Sequence, residues 1–275
     1  MNVIKTAILL VSFGTASNET GISALEQLET RIRDAFPSYD VYCAWTSERI
    51  RKKLLEQKHQ TINSISEAFL QMKHDGVHKV IVQPTFVIDG EENQRMQKEA
   101  LAYSDDFSSI EFGAPLLGDA ADAETAAQIV SSAAKNLTAY TEEDLVVFMG
   151  HGAASDMASS ETGTWKSAPN AMYTLVDYYL QQSGHSNMIL RLMNEPDSID
   201  DILTLASSMQ PRTIILVPFM VAAGRHAQKD MAGDQETSWA SKLTSAGYSV
   251  RCMMKGLGEY EAIQNLFIEH INRMI

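Results

Sequence analysis

The chain has 275 residues, of which 45% are hydrophobic and 21% charged; this composition excludes a disordered or fibrous protein and suits one large α/β unit or two domains. The 35 acidic residues against 22 Lys and Arg give a net charge of −13, so nucleic acid and anionic membrane surfaces are poor candidate partners. Two cysteines, Cys43 and Cys252, are too few for a disulfide framework, and we expect both to be reduced core thiols.

Near the N-terminus, an apolar run predicts a buried first strand. Ile8–Val11 follows a single lysine, and it is too short for the apolar region of a signal peptide or for a membrane span. We therefore expect a cytoplasmic protein that does not interact with membranes.

Short apolar runs alternate with longer segments of helical period, a pattern that predicts an α/β fold with mainly parallel sheets. The predicted strands are Ala7–Ser12, Tyr39–Ala44, Val80–Pro84, Ser109–Phe112, Leu145–Met149, Met188–Met193, Thr213–Val217 and Tyr248–Met253. The predicted helices are Gly21–Ala35, Ile62–His74, Ala123–Asn136, Ile199–Met209, Thr237–Ala246 and Tyr260–Met274.

The chain contains two pairs of similar segments, which indicates a duplication. Ile8–Thr15 resembles Leu145–Ala153, and Val80–Phe86 resembles Ile214–Met220, with nearly equal spacing in both halves. The duplication predicts two similar Rossmann-like lobes with parallel sheets, residues 1–142 and 143–275, with the C-terminal helix able to pack back on the first lobe. A ligand cleft is expected between the carboxyl ends of the two sheets.

Two of the seven histidines stand out by position. His151 directly follows an apolar strand between two glycines, and His226 lies shortly after another strand end. A histidine merely satisfied at a strand end is the alternative for His151. The other five lie among polar residues, where we expect solvated surface positions: His59, His74, His78, His185 and His270.

The repeat register adds a carboxylate to these histidines. His226 lies eight residues after Pro218, and Glu92 lies eight residues after Pro84. Two imidazoles and one carboxylate form an open ligand set for Co²⁺, Fe²⁺, Ni²⁺ or Zn²⁺. Glu91 is the alternative carboxylate; in an extended loop, it and Glu92 face opposite sides. The sequence has no P-loop, no H-E-x-x-H and no G-x-S-x-G motif, which argues against ATP hydrolysis and the commonest hydrolase chemistries.

These residues lie in segments that resemble the CbiK-type sirohydrochlorin cobaltochelatases of the anaerobic cobalamin pathway, which are ATP-independent class II chelatases. The resemblance covers essentially the whole chain, and its segments are Leu9–Thr15, Trp45–Ser47, Gly90–Glu92, Val146–Gly152 and Val221–Ala232. It implies an enzyme that inserts Co²⁺ into sirohydrochlorin, with the divalent metal as substrate and with no ATP or other nucleotide.

The resemblance also assigns roles to residues. It implies that two histidines and a glutamate, matching His151, His226 and Glu92, hold the metal, with His151 and Glu92 catalytic. Arg225 is a departure, because the family commonly has Asp at this position; a cation there disfavours protonation of His226 but repels an incoming dication.

Sirohydrochlorin carries eight carboxylates, so its cleft in this acidic chain must be locally cationic. The candidate contributors are Arg49, Arg51, Lys52, Lys53, Arg95 and Arg225. A solvated basic helix face is the simpler interpretation of Arg51–Lys53.

Three alternative functions remain at this stage. A ferrochelatase acting on sirohydrochlorin or a porphyrin keeps the fold and changes the metal or the ring. A metal or tetrapyrrole carrier binds without turnover. A histidine phosphatase is disfavoured, because it requires an arginine before the histidine, where this chain has Gly150. Homo-oligomers occur among chelatases of this type, but no heptad pattern in the sequence identifies an interface.

Overall fold

A computed structural model describes residues 4–16, 21–153, 170–182, 184 and 186–275. All eight predicted strands are present in these residues, with ends that differ by at most two positions from the prediction. They are β1 (Thr6–Ser12), β2 (Asp40–Trp45), β3 (Lys79–Pro84), β4 (Ser109–Phe112), β5 (Leu145–Gly150), β6 (Met188–Leu192), β7 (Ile214–Phe219) and β8 (Val250–Cys252).

These strands form two four-stranded parallel sheets with the same internal order. The first sheet runs β2-β1-β3-β4 and the second runs β6-β5-β7-β8. The predicted α/β fold with parallel sheets is therefore confirmed, and the shared strand order agrees with the duplication that the sequence indicates.

Within the described residues, six helices correspond to the predicted ones and three were not predicted. The helices are α1 (Gly21–Ala35), α2 (Glu48–Lys58), α3 (Ile65–His74), α4 (Glu91–Leu101), α5 (Ala120–Lys135), α6 (Ala171–Gln182), α7 (Ser198–Met209), α8 (Trp239–Ser245) and α9 (Glu261–Asn272). The missed helices are α2, α4 and α6. Helix α2 buries a single residue, Leu54, so its sequence lacks the apolar period that reveals a helix.

The chain divides into two compact units. The first unit comprises Met1–Gly118 and Gly258–Ile275, and the second comprises Asp119–Leu257. These limits differ from the predicted boundary at 142/143, because α5 packs on α6 and so belongs to the second unit. Helix α9 packs on α1 and β3, which returns the C-terminus to the first unit.

Each sheet is covered by helices and carries its own apolar core. In the first unit Leu9 and Val82 of the sheet pack with Phe69 of α3. In the second unit Val147 and Leu216 of the sheet pack with buried residues of α7 and α8. Strands buried on both faces read as continuous apolar runs, which is why the sequence revealed them so clearly.

One prediction about the histidines was wrong. His270 is 1% exposed on the inner face of α9, and its Nδ1 lies 3.2 Å from the carbonyl oxygen of Ala114. The polar neighbours Glu269 and Asn272 suggested a surface position. However, Leu266 and Phe267, four and three residues before His270, are buried on the same face of the helix. His59, His74 and His78 are exposed as predicted, and His185 lies outside the described residues.

Both cysteines are free and partly buried, and burial raises the pKa of each thiol. None of the helices that the structure describes is long and apolar enough to cross a bilayer.

Gly14 gives a test of the packing at the end of β1. Its φ is +94° and a Cβ there would lie 2.5 Å from Cε3 of Trp45, so we expect Gly14→Ala to lower the free energy of unfolding by about 2–4 kcal/mol. Gly76 also has a positive φ, +71°, but no atom lies within 4 Å of its added Cβ. Gly76→Ala should therefore cost only about 1–2 kcal/mol. Urea unfolding of both variants measures the difference, and equal losses would show that contact with Trp45 is unimportant.

Candidate functional site

His151 lies at the carboxyl edge of the second sheet. It directly follows β5, a wholly buried strand between β6 and β7, and its side chain is exposed at the strand end. Gly152, with φ +78°, turns the chain away behind it. The buried hydroxyl of Tyr173 forms a hydrogen bond with the Gly152 backbone, and burial raises the pKa of this phenol, which keeps it neutral.

His226 lies beyond β7 in a helical segment. The chain passes through a short loop and enters a five-residue π-helical turn, Ala227–Met231, for which His226 is the N-cap. Its side chain is 44% exposed. Single π-helical turns are rare and are found frequently at functional sites.

The two imidazoles contact each other. The ring centroids of His151 and His226 are 4.8 Å apart and the planes meet at 76°. With metal–nitrogen bonds of about 2.0–2.1 Å, rings this close can bind a single ion together. The structure thus brings together the two histidines that the sequence singled out.

A hydrogen bond at Nδ1 fixes the chemical form of each ring. Nδ1 of His151 lies 2.8 Å from the carbonyl oxygen of Gly152, and Nδ1 of His226 lies 2.7 Å from Oδ2 of Asp230. The nearest partner of each Nδ1 is an acceptor, since the amide nitrogen of Asn194 lies farther from Nδ1 of His151, at 3.5 Å; each Nδ1 therefore carries the proton, and Nε2 carries the lone pair in the neutral ring. Nε2 is therefore the nitrogen that each neutral ring offers to a metal ion.

Several polar residues around His151 were not predicted. Asn194 follows β6 and donates from Nδ2 to the carbonyl oxygen of Gly152 at 3.2 Å. Asn170 accepts from the Ala153 N–H at 2.8 Å and donates to Oε1 of Glu195 at 3.3 Å. Asn194 and Glu195 lie two and three residues after the end of β6, and this nearness to a strand end was the signal that could have identified them.

Glu92 lies in the first unit, in the first turn of α4. The prediction of an extended loop was wrong here, because Gly90 is the N-cap and the helix begins at Glu91. Acidic residues in the first turn stabilise a helix through its dipole. Oε2 of Glu92 accepts from Nη2 of Arg95 at 2.6 Å and from Oγ1 of Thr46 at 3.3 Å, so the carboxylate is already paired with a cation. Glu91 is exposed.

Among the described residues of the second unit, no third His, Cys, Asp or Glu completes a cluster able to hold an ion around the histidine pair. The pair is a two-imidazole centre with Asp230 behind one ring. The identity of the third ligand, Glu92 in the sequence analysis, stays a prediction.

Comparison with known proteins identifies the family. The model of the family described as cobalt chelatase (CbiK) matches residues 6–275. The chain belongs to this family. It is 26% identical over 272 residues to the sirohydrochlorin cobaltochelatase of Salmonella typhimurium, covering 99% of this chain and 97% of the relative. It is 30% identical over 274 residues to sirohydrochlorin cobaltochelatase CbiKC of Nitratidesulfovibrio vulgaris, covering 98% and 91%.

A solved structure supports the fold of this cobalt chelatase family member. SirB from Bacillus subtilis with Fe³⁺ superposes with a TM-score of 0.60 at 15% identity, over 98% of this chain and 95% of that one. At this identity the likeness supports the two-sheet class II chelatase fold.

Asp230 provides a test of the histidine pair as a metal centre. A carboxylate at 2.7 Å orients the His226 ring and raises its basicity as a ligand, so Asp230→Asn should weaken Co²⁺ binding by about 10–100-fold. Titration calorimetry with Co²⁺ measures the affinity. Asp200→Asn, an exposed carboxylate of α7 in the same unit, is the matched control and should bind Co²⁺ as the unmodified chain does. Equal affinities for all three proteins would exclude a role for Asp230.

Proposed function

We propose that this chain inserts Co²⁺ into sirohydrochlorin without ATP. The observation that carries the proposal is the contact between His151 and His226 at the carboxyl edge of a parallel sheet, with Nε2 of both rings in the metal-binding form. Membership of the cobalt chelatase family and two curated relatives named sirohydrochlorin cobaltochelatase support the choice of metal and ring. The two free cysteines fit the reducing environment of the cytoplasm.

Insertion exchanges two pyrrole N–H protons for one metal ion. In our proposal His226, tied to Asp230, keeps the ion in place, while the more exposed His151 delivers it and accepts a proton. His151 has a single lone pair for both tasks, so it can accept the proton only after its bond to the metal has broken. Transfer of the metal and deprotonation of the ring are therefore coupled at this residue.

We retain Glu92 as the third metal ligand and as the acceptor of the second proton. Its support is the repeat: Glu92 and His226 each lie in the first turn of the helical segment that follows the third strand of their sheet. Arg95 and Thr46 both bond to Oε2 of Glu92, so Oε1 is the oxygen that can bind a metal without breaking the ion pair.

The direct test is insertion by the purified protein, followed by the absorbance change of the ring. Sirohydrochlorin and protoporphyrin are each mixed with Co²⁺, Fe²⁺ or Ni²⁺ in the absence of nucleotide. We expect the fastest reaction with sirohydrochlorin and Co²⁺. Faster insertion of Fe²⁺ would favour a ferrochelatase, since histidine and carboxylate ligands accept either ion. Binding of ring and metal without turnover would favour a carrier.

His151→Ala should abolish insertion and leave the affinity for the metal-free ring nearly unchanged. The imidazole acts on the metal and on the pyrrole protons, whereas the ring is held by other groups. Rate and ring affinity are measured on the same preparation. An insertion rate within a fewfold of that of the unmodified chain would remove His151 from the mechanism.

The third ligand is identified by comparing three glutamates. Successive residues of a helix point about 100° apart, so Glu91 and Glu92 cannot both face one ion. Glu92→Gln should lower Co²⁺ affinity and insertion rate by at least ~10–100-fold, and Glu91→Gln should change little. Glu195→Gln tests the carboxylate that is linked to the His151 loop through Asn170. If Glu195→Gln is the damaging change and Glu92→Gln is mild, the third ligand comes from the second unit.

A further inference from the structure

The first unit contains a groove of about 550 Å³, and Glu92 is the one residue of its wall to which the proposed metal chemistry assigns a role. It lies at the carboxyl ends of β1 and β2, and Phe13, Thr46, Ser47, Arg51, Glu92 and Arg95 contribute to its walls. Four of the six basic candidates from the sequence, Arg49 and Arg51–Lys53, lie on α2. Of these four, Arg51 alone lines the groove.

Arg51 has unused hydrogen-bonding capacity. Its side chain is 20% exposed, and its recorded partner among the described residues is Glu67, 3.3 Å from Nη1. Its Nε is buried with no hydrogen-bond acceptor. A guanidinium offers five N–H donors, so most of this cation's capacity remains available to a ligand.

Glu67 is a poor partner for Arg51 because it is already occupied. Its Oε2 accepts from the backbone N–H and from the hydroxyl of Ser64, both at 2.7 Å, in the capping box of α3. These hydrogen bonds hold the pKa of Glu67 below its ordinary value, and the bond from the backbone N–H has the larger effect. The contact with Arg51 is the longest of the three, and a second carboxylate can therefore compete for the guanidinium.

The acidic side chains of the groove are mostly paired with cations. Glu48 lies 2.6 Å from Lys52, and Glu92 lies 2.6 Å from Arg95. Glu99 is the remaining carboxylate of the wall, on α4. Because Lys52 and Arg95 neutralise two of these three carboxylates, Arg51 can hold one carboxylate arm of a ligand.

Phe13 adds an apolar side chain to the wall of the same groove. Val11 pairs with Pro84 in the first sheet and Met149 pairs with Pro218 in the second, so Phe13 occupies the position of His151 in the repeat. Phe13 is 46% exposed, an unusual exposure for a phenylalanine at a strand end. An aromatic face beside a cation suits a flat ring that carries carboxylates.

We propose that the first-unit groove is a carboxylate-binding subsite for the tetrapyrrole, in which Arg51 holds a carboxylate arm of the ring. This inference rests on the proposed function, because the ring is the one proposed in the preceding subsection. It selects Arg51 from the basic residues of α2, leaving Arg49, Lys52 and Lys53 as a solvated face.

The test measures binding of metal-free sirohydrochlorin by absorbance or fluorescence titration of the full chain. Arg51→Met should raise the Kd by about tenfold or more, the loss typical of a charge-assisted, two-point hydrogen bond. Arg51→Lys keeps the charge but not the planar guanidinium group, so it should lose less ring affinity than Arg51→Met. Insertion by Arg51→Met should show a raised KM for the ring, with kcat unchanged at saturation. Lys58→Met removes one charge from the same helix outside the groove and should leave the Kd within twofold.

A second variant should raise the affinity for the ring, and it leaves Arg51 in place. Glu67→Gln retains the capping box, which accepts either residue, but removes the anion beside Arg51, so it should tighten ring binding severalfold. The proposed subsite is overturned if the Kd of Arg51→Met lies within twofold of that of the unmodified chain, or if Lys58→Met loses as much ring affinity as Arg51→Met. If Arg51→Met does not fold, an unchanged Kd for Glu67→Gln overturns the subsite. Failure of the proposed function looks different, because the unmodified chain then binds no sirohydrochlorin.

Discussion

The parallel pairing of β5 with β7 is the constraint on which the metal centre depends. In a parallel sheet neighbouring strands end at the same edge, and the register Met149 to Pro218 aligns the two strand ends. The residue that follows β5 is His151, and the segment that follows β7 leads to His226. Two residues far apart in the chain thereby come into ring contact, with 4.8 Å between the ring centroids.

Hydrogen bonds at Nδ1 then convert two nearby rings into a chemically defined pair. A carbonyl acceptor at His151 and a carboxylate acceptor at His226 both place the lone pair on Nε2, but they differ in charge. In the proposed mechanism the carboxylate would make His226 the stronger electron donor to a metal, whereas His151, with a neutral partner, would release the ion more readily. This asymmetry suits a site that must first hold an ion and then give it up to a ring. Arg225, next to His226, is exposed and adds a cation at the same edge.

The two sheets have the same strand order and have diverged at the positions that carry chemistry. At the end of the first strand of each sheet, Phe13 stands where the second unit has His151, and Gly14 and Gly152 both have positive φ. After the third strand, Glu92 corresponds to His226. One copy thus offers two imidazoles, while the other offers an aromatic side chain, a carboxylate and a groove with Arg51. Metal ligation and ring binding can in this way be altered separately by substitution.

The sequence by itself determined the strands, the duplication and the two histidines. Buried parallel strands are short apolar runs, and a residue directly after such a run lies at the ligand-binding edge, so His151 and His226 could be identified without coordinates. Helix α2 was missed because it buries a single side chain, and α4 because one of its three buried residues is the polar Asn93; with α4 unpredicted, the extended geometry expected at Glu92 was wrong. Only the tertiary structure decided that His270 is buried, that Asp230 bonds to His226 and that Arg51 faces a groove. These facts depend on which face of a helix packs against the rest of its unit and on which acceptors lie within about 3 Å of a donor. Local sequence preference does not determine either of them.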